Sequence, residues 1–147
     1  MENGESREGR ENPSQVEWVK PNLVEEMGEL DRTAEELGID LEELIEAFEN
    51  GELQDLDADE WKTLRNAHSR DESWTLDEVR EWMKEIKKNR RDPERVLSGF
   101  ERGDEIPAPI VLYRSGEPPY LVTGNTRLLV ARVKKIAPMV LKVRLSE

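Results

Sequence analysis

Four consecutive residues near the C-terminus, Gly124-Asn125-Thr126-Arg127, join a flexible backbone position, two short polar side chains and a permanent cation. They stand between YLVT, which alternates like a strand, and LLVARVKK, whose apolar residues recur like a helix. Two kinds of chemistry suit such a strand-to-helix corner. Asn125 or Thr126 can cap the helix, with Gly124 relaxing the turn and Arg127 facing water. Alternatively, the first N–H groups of the helix, at the positive end of its dipole, hold a phosphate or carboxylate. Arg127 then adds a bidentate contact. The residue types leave both readings open.

Other chemistry-bearing residues are sparse. The chain contains no cysteine, which removes disulfides, thiolate zinc sites and thiol catalysis together. His68 is the single histidine, in the polar stretch NAHSRDES. Without a second soft ligand it reads as a surface residue, and no metal site is expected. The pairs Glu35–Glu36 and Glu42–Glu43 are adjacent in sequence and diverge around a helix, so they read as solvated faces rather than an acid–base dyad. Trp61, Trp74 and Trp82 fall on or beside helical stripes and are expected in a core.

Charge narrows the partners. Residues 107–147 carry seven Lys/Arg against two carboxylates, whereas residues 1–106 carry fifteen against 32, for a net −12. Nonspecific DNA binding runs on phosphate neutralisation and is disfavoured by that balance. A locally basic module can still hold a small anion. MENGESREGRENPSQ lacks the apolar stretch of a secretory signal, and no apolar run approaches a membrane span, so a cytoplasmic protein is expected.

The elements that must position the corner are legible in outline. Residues 1–15 hold almost nothing to bury and read as disordered. Residues 16–103 form an acidic helical region, helical throughout from Trp18 to Gly103. NLVEEMGEL places Leu23, Val24, Met27 and Leu30 on one stripe. TAEELG offers a Thr33–Glu36 capping box and Gly38 as a stop; Asp40 caps the next helix, IDLEELIEAFENG. That pair outlines a helix-turn-helix, but its second helix presents Glu42, Glu43, Glu46 and Glu49, which phosphates repel. DADEWKTLRNA is a short helix. TLDEVREWMKEIKKN opens on a Thr75–Glu78 box and should bury Leu76, Val79, Trp82, Met83 and Ile86. DPERVLSGFERG starts at an Asp92 cap with Pro93 at its first position. From residue 104 to 147 the pattern becomes strand (IPAPIVLYR), turn (SGEPP), strand (YLVTG), helix (NTRLLVARVKK) and strand (PMVLKVRL). The fold class expected is α+β.

From Pro107 to Leu145 the chain resembles the ParB/sulfiredoxin-like superfamily, in which a Pro-led strand, a turn and a second strand deliver a Gly-x-x-Arg corner into a helix, followed by a third strand. Here those parts are PAPIVLYR, SGEPP, YLVTGNTR, LLVARVKKI and PMVLKVRL. The preceding helices, TLDEVREWMKEIKKNRRDPERVLSGFERG, are similar to the leading part of small ParB-like proteins found often in bacteriophages. The resemblance implies a helical N-terminal half packed on a small β-β-α-β module.

In ParB-type partition proteins the corner reads Gly-Glu-Arg-Arg and holds the phosphates of CTP; in sulfiredoxins it reads Gly-Cys-His-Arg, with ATP phosphates nearby. Gly124 and Arg127 match both patterns, whereas Asn125 and Thr126 depart from both. Leu129 stands where a second arginine of the partition motif would fall. Sulfiredoxin chemistry needs a thiol that is missing, and partition-type hydrolysis needs the glutamate that Asn125 replaces. Free-serine kinases and proteins labelled nucleases share the fold, but the acids they need cannot be placed at this corner. The resemblance therefore implies a module that binds a nucleotide or other phosphate ligand at Gly124, Asn125, Thr126 and Arg127, with little or no turnover. A nucleoside triphosphate with magnesium is the candidate ligand. Catalytic residues are not assigned, though Asp104 or Glu105 could supply a base. The alternative is an acidic protein-interaction or DNA-associated regulatory protein, in which the corner is only structural and the acidic helices meet a basic partner.

Overall fold

The computed structural model describes residues 16–71, 73–86 and 93–145. The N-terminal segment read as disordered, the Asp92 cap, and the side chains of Met83 and Ile86 lie outside the described residues. In chain order the elements are β1 (Glu17–Val19), α1 (Leu23–Leu37), α2 (Leu41–Glu49), β2 (Glu52–Asp55), α3 (Ala58–Thr63), a 3-10 turn (His68–Arg70), α4 (Leu76–Ile86), α5 (Pro93–Arg102), β3 (Glu105–Pro107), β4 (Ile110–Arg114), β5 (Tyr120–Thr123), α6 (Asn125–Lys134) and β6 (Met139–Leu145). The class is α+β.

Local signals place most helix ends. Asp40 caps α2 through the Glu42 N–H, and Gly38 ends α1 at φ 69°. The Thr75–Glu78 box forms, with Thr75 N donating to Glu78 at 2.9 Å and Glu78 N donating to Thr75 at 3.2 Å. Thr33 is different: it is not a cap but a buried residue inside α1, which runs unbroken from its cap at Asn22. The continuous helix also corrects the expected stripe. Val24 sits one residue past Leu23, rotated by about 100°, and is 82% exposed while Leu30 is fully buried. Glu36, freed from the supposed box, accepts the Tyr120 hydroxyl at 3.0 Å.

The region read as helical throughout also contributes two strands. β1 pairs in parallel with β3. β2 pairs antiparallel with β6 and joins a four-stranded sheet of order β2-β6-β4-β5, so the sheet draws strands from both sides of residue 104. ELQD has little β propensity and no clean alternation. Its strand state comes from pairing with β6, where tertiary context overrides local preference.

The side chains of β6 divide between the faces, with period two. Leu141 and Val143 pack with Leu30, Ala34, Leu44 and Phe48 of α1 and α2. Val140 packs on the other side with Trp61, Val79, Phe100, Leu128 and Leu129. Helices thus cover both faces of the sheet. The acidic and basic parts of the chain meet across it: Lys142, almost buried, pairs with Glu60 at 2.9 Å, and Lys134 with Glu101 at 3.1 Å. Part of the positive excess seen in residues 107–147 is taken up inside the molecule.

Candidate functional site

α6 begins where β5 ends, and Gly124 occupies the junction as N-cap with φ 112° and ψ 17°. Side chains rarely tolerate that positive φ. Space reinforces the requirement, because a Cβ at this position would lie 2.4 Å from Pro109 Cβ and 2.7 Å from Pro109 Cα. The corner backbone and Pro109 are in contact across the start of β4.

Among the described residues no side chain caps α6, whose N-cap is a glycine. The capping roles considered for Asn125 and Thr126 are therefore not the ones adopted. Thr126 is buried. Asn125 turns away to the 3-10 turn, where its Oδ1 accepts the His68 N–H at 3.1 Å and its Nδ2 lies 2.6 Å from His68 Nδ1. With Oδ1 used as the acceptor, Nδ2 must donate to Nδ1, which leaves the proton of the neutral imidazole on Nε2. Arg127 does not face water. It is 9% exposed, and its Nη1 donates to the Pro107 carbonyl at 2.9 Å. The first turn of α6 packs on the Pro107–Pro109 segment, which turns position 127 inward.

The same 3-10 turn is held again farther along α6. Arg132 donates from Nε and Nη2 to the Ser69 carbonyl at 3.0 and 2.8 Å. Its guanidinium lies 3.6 Å from the Trp61 ring centroid, and Trp61 Nε1 donates to Ser69 Oγ at 2.8 Å. Asn125 and Arg132 are two helical turns apart and share a face of α6. Residues just before the turn close the outer edge of β5: Arg65 N donates to the Pro119 carbonyl at 2.8 Å and Leu121 N to the Arg65 carbonyl at 2.9 Å. Asn66 Nδ2 adds a bond to the Leu121 carbonyl at 2.9 Å. The exposed edge that an unpartnered β5 would present is thereby occupied.

Residues 121–127 form one wall of a cleft of about 350 Å³, completed by Glu29 and Arg32 of α1, Asn66 and Trp82. All four sequence-derived site residues line it. Arg32, half-exposed, pairs with Glu29 and, at 3.7 Å, with Glu36. Glu29, not Asp104 or Glu105, is the carboxylate at the corner; Asp104 bonds Arg102 at 2.6 Å. His68 is exposed as expected, yet it belongs to the surroundings of the corner through Asn125. Nothing in the sequence near residues 29, 32 or 68 signals this meeting, because Glu29 and Arg32 arrive on α1 and His68 on the 3-10 turn, both far from the corner in the chain. Among the described residues no group of three or more His, Cys, Asp or Glu is arranged to hold a metal ion, and no helix is long and apolar enough to cross a membrane.

The helix-turn-helix outline resolves into α1 and α2 packed on the sheet, with Glu42, Glu43, Glu46 and Glu49 all exposed on α2. That surface repels a phosphate backbone.

Both tyrosines are unsuited to proton transfer near neutral pH. Burial, followed by the Glu60 charge, pushes the Tyr113 phenol well above its ordinary value. Burial and the bond to Glu36 push Tyr120 upward as well. A raised folded pKa means that the folded state keeps its proton longer, so the phenols' contribution to stability is full below about pH 10 and is lost as pH rises through the folded values. In an alkaline titration followed at 295 nm, the two phenols should ionise later than a model tyrosine. Ionisation at the ordinary midpoint while the fold persists would refute their burial.

No family model matches the chain, and no curated protein or solved structure matches it at a significant level.

Proposed function

We propose that the protein is a phosphate- or nucleotide-binding module whose ligand sits at the Gly124–Arg127 corner, held without efficient turnover. One observation carries the reading: a helix N-terminus that no side chain among the described residues caps opens on a cleft of ligand-binding size, with Arg32 on its wall. The first N–H groups of a helix have no partner within the helix and carry the positive end of its dipole, so an anion is the natural occupant. Arg32, which pairs with Glu29 and Glu36, supplies the cation in this reading, a role the sequence suggested for Arg127. Arg127 instead builds the corner from below. The resemblance to the ParB/sulfiredoxin-like superfamily supports the same reading and suggests a nucleoside triphosphate with magnesium. Binding without turnover is supported by Asn125, which cannot take a proton from water, by His68, whose Nδ1 is engaged by Asn125, and by Glu29, the carboxylate of the cleft, which is paired with Arg32.

The test is a thermal-shift panel of inorganic phosphate, pyrophosphate and nucleoside triphosphates, with and without magnesium. A ligand at 100 times its Kd stabilises by about 2.7 kcal/mol, a shift of roughly 5–10 °C for a domain of this size. Arg32→Ala should weaken the ligand so found by about 1.5–3 kcal/mol, the range for a charge-assisted bond. A panel with no shift at millimolar ligand defeats the proposal, and the protein-interaction reading then stands.

A further inference from the structure

Trp82 lines a second cleft, of about 370 Å³, together with Trp74 and the carboxylates Asp71, Glu78, Glu81 and Glu85. The sequence builds it from one helix face and the turn before it. Glu78, Glu81, Trp82 and Glu85 are spaced i, i+3, i+4 and i+7 along α4, so they form one stripe. Trp74 immediately precedes the capping box that starts the helix. Both indoles contact His68: Trp74 Nε1 donates to its carbonyl at 3.0 Å, and the Trp82 ring lies tilted against its imidazole at 5.5 Å. Each indole is only half-buried. Asp71 is held ionised by Ser73, whose hydroxyl and N–H both donate to it and lower its pKa.

No lysine or arginine is among the described residues that line this cleft. Two preorganised π faces beside carboxylates attract an organic cation rather than a metal ion, which would need converging oxygens. A guanidinium fits better than an ammonium. It is planar, weakly hydrated, stacks on indole and pairs with carboxylate in a fork. The molecule already uses this mode internally, where Arg132 lies over Trp61. The cleft is large enough to admit a long side chain, and the net charge of −12 favours a cationic partner.

We propose that this cleft receives an arginine side chain from a basic peptide segment of a partner protein. The experiment is fluorescence anisotropy at ~150 mM salt on the full chain, with a labelled peptide Gly-Ser-Lys-Arg-Lys-Ser-Gly and its counterpart carrying lysine in place of arginine. The arginine peptide should bind saturably and roughly tenfold more tightly than the lysine peptide. Glu85→Lys, at an exposed position, should weaken it by about tenfold or more. Glu42→Lys makes the same charge change on α2, across the sheet, and should alter affinity less than about twofold. Absence of saturable binding, equal affinity for the two peptides, or equal losses in the two variants would each overturn the assignment. Competition by L-argininamide at the affinity of the peptide would also overturn it, by showing that a free small cation suffices.

Discussion

Gly124→Ala is expected to destabilise the protein by about 2–5 kcal/mol. A left-handed backbone costs an L-residue about 1–2 kcal/mol, and forcing a methyl group into filled space adds about 1–3 kcal/mol. The space at this position is filled by backbone as well as side chain, since Pro109 Cα would lie 2.7 Å from the new carbon. Pro109 has little room to retreat, because its carbonyl accepts the Leu141 N–H at 2.8 Å at the start of the β4–β6 pairing. Gly116 supplies the control. It too has positive φ, 77°, but nothing lies within 4 Å of its added carbon, so Gly116→Ala should cost only the backbone component, about 1–2 kcal/mol. Urea unfolding of the two variants separates conformation from contact. Equal costs would mean that Pro109 does not press on the corner.

Arg127→Ala should destabilise by about 2–4 kcal/mol, against the expectation that a surface arginine can be removed without harm. The substitution leaves the Pro107 carbonyl without its donor, worth about 1–3 kcal/mol when buried, and removes an aliphatic stem packed at 9% exposure. Arg32→Ala should change stability by under about 0.5 kcal/mol, as usual for an exposed side chain. The two arginines therefore separate cleanly in stability, and on the proposed reading it is Arg32 whose loss weakens the ligand. If Arg127→Ala unfolds at the wild-type urea concentration, the inward placement of this side chain is wrong.

The parts of the fold that were legible in the sequence are those specified locally. Asp40, the Thr75–Glu78 box and Gly38 act on their own neighbours, and the alternation of PMVLKVRL sets its faces without reference to anything else. β5 and α6 were placed within a residue for the same reason. The misreadings have a common cause. Thr33 has the chemistry of a cap, but α1 gains more by continuing, since Thr33 and Ala34 then bury beside Leu30. ELQD became a strand because β6 offered it a partner. The candidate site shows the same division. Gly124 could be found from the strand–Gly–helix pattern, and its left-handed φ was foreseeable from residue type. The inward turn of Arg127 depended on the Pro107–Pro109 segment, whose Pro107 lies 20 residues earlier in the chain. Arg32, Glu29 and His68 arrive through tertiary packing alone, so neither the cation of the cleft nor the partner of Asn125 could be read from local spacing.

The central claim, that the first turn of α6 holds a phosphate group, is tested most directly by two-dimensional amide NMR during titration with tripolyphosphate, followed by a nucleoside triphosphate with magnesium. Binding at the corner predicts saturable shifts concentrated on the backbone amides of Asn125, Thr126 and Arg127, with the Arg32 side-chain Nε–H moving in step. Shifts centred instead on the basic strand residues Lys142 and Arg144, or an unchanged spectrum at millimolar ligand, would contradict it.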